Sequence, residues 1–337
     1  VPFTLSHAAA VLPGVRGDGS GRGRLIPAVL VAGSFAPDLT YYAASAVPGA
    51  MRFGDVTHSF AGVFTVDVLL AWLLAGLWLL VREPLVALLP AAGRPRVAAL
   101  TRCGVPRARV QGALVARWYV SSVAGSLTHV VWDAFTHHDR WGMRLFPVLG
   151  EEIAGSPLYW YLQYGGSLVA AVAIGGFLAY ALRRAPSGAA PGVPVLSVGD
   201  RWLAGVLIGA CAGVGAVLRV VRWWAYWGER GAKPWEIVPT VCFGAGAGLL
   251  VGVVVYAVVV RAVAAGRAAR SALRERALLG VSVSRRLPVQ ARPHRHVQRS
   301  AQVDRVGHLP ADQFLDPRGL SGRDLQDDFV VDLEQQA

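Results

Sequence analysis

The chain has 337 residues, of which 54% are apolar and only 16% charged, with a mean hydropathy of +0.44. A soluble domain carries about a quarter charged residues, so this composition points to lipid and argues against an ordinary water-soluble enzyme. The net charge of +12 is almost wholly arginine, with Lys233 the single lysine, so it reads as compositional bias and no nucleic-acid partner is expected.

The apolar residues fall in blocks, and a membrane crossing needs about 20 of them in a row. Residues 1–13 lack the basic and apolar regions of a signal peptide, so insertion is expected to rely on the first spans. Six segments are expected to cross, at 25–47, 61–81, 112–138, 158–182, 202–218 and 237–260. The first carries Asp38 directly after Pro37, which disrupts a helix at that point. The second has one charge, Asp67, roughly opposite His58 on a helical projection and therefore read as a separate polar contact. After it comes an arginine-rich loop (Arg82, Arg94, Arg96, Arg102, Arg107 and Arg109), and arginines also follow the fourth and sixth segments. The positive-inside rule then puts those loops and both termini in the cytoplasm of a plasma-membrane protein. Gly205, Gly209 and Gly213, and likewise Gly244, Gly248 and Gly252, recur every fourth residue, a spacing that lets two helix backbones approach. Cys103, Cys211 and Cys242 are isolated from one another, which leaves no disulfide framework and no thiolate metal site. Residues 261–300 carry ten arginines against one glutamate, and 301–337 carry eight acids against three arginines. That stretch reads as a charged, disordered cytoplasmic tail whose basic part can lie on anionic headgroups.

The expected fold is all-α: a polytopic transmembrane helical bundle of about six spans with a disordered C-terminal tail. It divides into a polar-cluster membrane module at 1–182, two Gly-rich transmembrane helices at 183–263, and the tail at 264–337.

Five of the eight histidines lie within the first 138 residues, each beside an apolar run. Ionisable groups inside a membrane cost about 2.5–3.5 kcal/mol each on insertion scales, so several together must face a cavity or one another. On a helix His129 and Asp133 stand one turn apart on one face, and Thr136 and His137 continue the stripe. Such a pair can ligate a metal, or it can form a buried hydrogen bond that locks two helices. In the six-span topology Asp38, His58, His129 and Asp133 converge near the outer face. His7 begins on the opposite side, and it joins them only if 1–13 inserts or 25–47 is re-entrant. Histidine and carboxylate without thiolate suit Zn, Mn or Fe. Asp38 is the candidate general base or ligand, and His7 and His137 are secondary candidates for the metal.

These residues lie in Pro2-Phe-Thr-Leu-Ser-His7, Gly33-Ser-Phe-Ala-Pro-Asp38, Thr57-His58-Ser59, the segment from Leu127 to Thr136, and the segment from Pro157 to Ser167. In that combination the sequence resembles an actinobacterial membrane family known as domain of unknown function 4184. The pattern is also similar to bacterial inner-membrane proteins regarded as metal-dependent hydrolases. That likeness implies metal ligation by His7, Asp38, His58, His129 and Asp133, and implies no substrate. The expected activity is metal-dependent hydrolysis at a site open to the outer leaflet, on a phosphoester or lipid-linked substrate. A scaffold glued by its polar groups and an ion or proton path are the alternatives.

Overall fold

A computed structural model describes residues 3–105, 108–138, 140–227 and 237–284. Of the tail expected to be disordered from residue 264, residues 264–284 are instead helical, and the remainder with its histidines lies outside the described residues.

A 3-10 turn, Thr4–His7, leads into α1 (Ala8–Val11). Then come α2 (Pro27–Phe35), a 3-10 turn Ala36–Asp38, and α3 (Leu39–Ala43). Two short helices follow, α4 (Gly54–Thr57) and α5 (Phe60–Phe64), before the long α6 (Val66–Leu88). Next are α7 (Arg94–Leu100), α8 (Gly112–Ala134) and α9 (Trp141–Leu145). A small antiparallel hairpin pairs Glu152 with Pro157 and Ile153 with Ser156. Its turn residues Ala154 and Gly155 both have positive φ, as a two-residue hairpin turn requires. The chain ends in α10 (Leu158–Arg184), α11 (Val198–Trp227) and α12 (Ile237–Ser284). By its internal contacts the described chain divides inside α12, with Val263 closing one unit and Ala264 opening another.

Among the described residues, four helices are long and apolar enough to cross a membrane: α6, α10, the Val198–Ala225 part of α11 and the Ile237–Arg274 part of α12. The count falls short of six for two physical reasons. The segment 25–47 is not one helix: α2 has nine residues, about 14 Å of rise, and breaks at the 3-10 turn that contains Pro37. Helix α8 has 23 residues, enough for roughly 34 Å, but its buried face carries the polar Ser121, Ser122, Ser126, His129 and Asp133 beside Gly125, Val130 and Ala134. The second span also starts later than expected. His58 caps α4, and α6 begins only after a backbone break at Thr65.

The core of the first unit is α2 held between α6 and α8. Proline at the first position of α2 presets its φ, and the free amide of Ile26 just before it is taken up by Ser121 Oγ at 2.9 Å. Ile26, Val29, Ala32 and Ala36 pack on Ala71 and Ala75 of α6. Against α8 the approach is backbone to backbone. A methyl on Gly33 would strike the Ser122 carbonyl, and one on Gly125 would strike the Leu30 carbonyl, so only glycine fits either position. Ser126 closes the contact by donating to the Gly33 carbonyl at 3.1 Å.

The α12 glycines do line a close helix contact, with a different α11 face from the expected one. Gly244, Gly248 and Gly252 oppose Gly215, Cys211 and Ile208, whereas Gly205, Gly209 and Gly213 have nothing within reach of an added methyl. The four-residue glycine spacing marks the contact face of α12 but not that of α11, which meets its partner through Ile208, Cys211 and Gly215.

Two latches tie the later helices to the core. Pro84 inside α6 has no N–H to give the Leu80 carbonyl, and Arg261 Nε donates to that carbonyl at 2.7 Å. Arg261 also pairs with Glu83, which Arg82 holds from the other side. At the other end, Arg219 and Arg222 donate to the Tyr41 and Ser45 carbonyls, capping the end of α3.

Candidate metal centre

Each imidazole in the cluster is aimed by its own backbone setting. His58 follows the last turn of α4, and its Nδ1 lies 2.9 Å from the Gly54 carbonyl four residues back. Thr57 beside it donates to the Pro37 carbonyl at 2.8 Å, which fastens this turn to the one carrying Asp38. His129 points from α8 toward the end of α2, where its Nδ1 lies 2.7 Å from the Ser34 carbonyl. Asp133 stands one turn further along α8. Asp38 ends the 3-10 turn after α2, and its Oδ2 accepts from Thr4 Oγ1 at 2.5 Å.

A carbonyl oxygen only accepts, so Nδ1 of both His58 and His129 must carry the proton. In a neutral ring the lone pair is then on Nε2. Both Nε2 atoms face carboxylate oxygens. His58 Nε2 is 3.6 Å from Asp38 Oδ1 and 3.4 Å from Asp133 Oδ2; His129 Nε2 is 3.5 Å and 3.4 Å from the same two atoms. With neutral rings these are acceptors facing acceptors, nearly or wholly sealed from solvent, and the separations exceed the 2.7–3.2 Å or so of an N–H···O bond. They fit a cation between the ligands: bonds of about 2.0–2.2 Å give a tetrahedron with edges of roughly 3.4 Å. The four ligand atoms lie within 4.8 Å of one another, so the group could hold a metal ion. The Nδ1–H···O=C bonds and the Thr4 hydroxyl are the outer-layer contacts that orient such ligands.

The structure brings His7 to the same place, contrary to the topology that put it across the membrane. Because α2 ends after nine residues, no full crossing separates residue 7 from the rest. His7 is 1% exposed, its ring stacks on His129 with centroids 3.7 Å apart, and its Nε2 is 3.4 Å from Asp133 Oδ1. His137 Nδ1 is 3.6 Å from Asp133 Oδ2, and with its side chain 24% exposed it marks the half-open edge of the cluster. Asp67 behaves differently from the expected polar contact. It is fully buried in α6, and neither of its oxygens has a hydrogen-bond partner among the described residues.

The family model described as "Domain of unknown function (DUF4184)" matches residues 1–258. The chain belongs to this family. The DUF4184 match takes in every residue of the cluster and ends before the charged tail. No curated protein and no solved structure matches the chain.

Thr4 and Tyr41 were not singled out by sequence reasoning. Thr4 had a weak signal, its place in the Thr-Leu-Ser-His run. Tyr41, whose ring lies 5.7 Å from that of His58, had none.

Proposed function

We propose that this chain is a membrane-embedded metal-dependent hydrolase acting on a phosphoester or lipid-linked substrate. Asp38 Oδ1, His58 Nε2, His129 Nε2 and Asp133 Oδ2 hold one divalent Zn, Mn or Fe ion near the outer face. The observation that carries this reading is the pair of imidazoles whose Nδ1 protons are committed to backbone carbonyls while their Nε2 atoms converge on carboxylate oxygens. A divalent cation held there supplies Lewis-acid activation of water and of the scissile ester.

The chain's own groups divide the remaining work. Asp38 acts as a ligand more than as a free base, since its second oxygen is occupied by Thr4. His137, at the exposed edge, is positioned to exchange protons with solvent. Val56 and Phe60, which flank His58 and are exposed, favour a substrate that arrives from the lipid side.

Elemental analysis of the purified protein in detergent, beside a His129→Ala/Asp133→Ala variant, tests the reading. Bound Zn, Mn or Fe that is lost in the variant supports it, and turnover of phosphoester or lipid-phosphate substrates completes it. A wild-type protein without metal after reconstitution would sink it. An ion or proton path is the second reading, favoured by the buried Asp67, which has no hydrogen-bond partner among the described residues. It predicts gradient-driven flux in proteoliposomes that Asp67→Asn abolishes.

A further inference from the structure

The two oxygens of Asp133 face in different directions. Oδ2 lies among the His58, His129 and His137 nitrogens, whereas Oδ1 is met by His7 Nε2 at 3.4 Å. A hydrogen bond does not account for that second contact. The distance is too long, and among the described residues Oδ1 has no donor and both nitrogens of a buried His7 are unpartnered. His7 also lies outside the set of four whose ligand atoms are all within 4.8 Å of one another, so it is not simply a fifth ligand of the same ion.

The ring stacking supplies an independent measure. His7 and His129 are nearly parallel, 18° apart, with centroids separated by 3.7 Å. Each presents Nε2 to a different oxygen of one carboxylate, at 3.4 Å in both cases. Two ions held at those nitrogens would sit about as far apart as the rings. Metal pairs that share a bridging ligand in hydrolytic sites are about 3.5–4 Å apart.

We propose that the centre is binuclear, with Asp133 bridging two divalent cations. The first is held by Asp38, His58, His129 and Asp133 Oδ2, and the second by His7 Nε2 and Asp133 Oδ1. With only two protein ligands, the second ion keeps positions open for water or a phosphate-type oxygen, which suits a hard or borderline cation such as Mn(II). This inference rests on the metal-site reading above and extends it.

The test strips metal from the full chain in detergent with a chelator, reloads it with Mn(II), and measures stoichiometry and the electron paramagnetic resonance spectrum. The expected result is about two equivalents per chain, with the narrowed hyperfine spacing of an exchange-coupled pair. His7→Ala and the more conservative His7→Gln are expected to keep about one equivalent and give the six-line spectrum of a lone ion. A wild-type protein with a single uncoupled ion overturns the binuclear centre and leaves the mononuclear site standing. Two coupled ions retained in both His7 variants also overturn it. No Mn(II) in the wild type removes both readings together. If neither His7 variant folds, the coupling in the wild type decides alone.

Discussion

Thr4 offers the sharpest test of how the site is held. Its hydroxyl donates at 2.5 Å to Asp38 Oδ2, with both groups buried, and replacing it with the near-isosteric valine removes the donor without opening a cavity. A hydrogen bond to a charged group is worth about 1.5–3 kcal/mol. At about 1.4 kcal/mol per tenfold, Thr4→Val should weaken metal binding roughly 10- to 150-fold. That overlaps the loss of about 10- to 100-fold seen when outer-layer partners of metal ligands are removed. Competition against a graded series of chelators in detergent gives the affinity directly. Thr4→Ser, which keeps the donor, should stay close to wild type. If Thr4→Val binds as tightly as Thr4→Ser, Asp38 does not need its partner, and the ordering of the site has been misread.

Two further predictions address the scaffold. Gly125→Ala sets a methyl against the Leu30 carbonyl, the Ser34 amide and the Gly33 Cα, all backbone atoms that no rotamer change can move. Overpacking of that kind costs about 1–3 kcal/mol. Because the Ser34 carbonyl also orients His129, metal affinity should fall along with the denaturation midpoint; an unchanged midpoint would refute the close contact of α2 with α8. Arg261→Ala should lower the thermal midpoint while leaving metal stoichiometry intact. It removes donors to the Leu80 carbonyl and to Glu83, a loss of about 1–3 kcal/mol.

Much of the site was legible because it follows local periodicity. His129 and Asp133 are one helical turn apart in any helix, and Pro37 marks the break that frees Asp38 to turn inward. The failures were matters of tertiary arrangement. A hydropathy window sees 25–47 as one long apolar stretch and cannot register that the helix stops after nine residues. The same stop decides between the two positions that the sequence left open for His7, and it favours the one beside the cluster. The α11 glycines show a second limit: spacing defines a stripe, but only the partner helix decides that Ile208, Cys211 and Gly215 are the residues in contact. The Ser34 and Gly54 acceptors are backbone atoms, which no residue pattern can announce.

The family match stops at residue 258, and the arginine that covers the gap opened by Pro84 is residue 261. The stretch that the family model matches and the stretch that satisfies its own hydrogen bonds therefore have different ends. A fragment trimmed to the matched stretch would leave the Leu80 carbonyl without its Arg261 donor and, among the described residues, Glu83 with Arg82 as its cationic partner. Any shortened form made for biochemistry should carry α12 at least through Arg261. Lowered stability in a shorter fragment would reflect a loosened α6 and say nothing about the ligands.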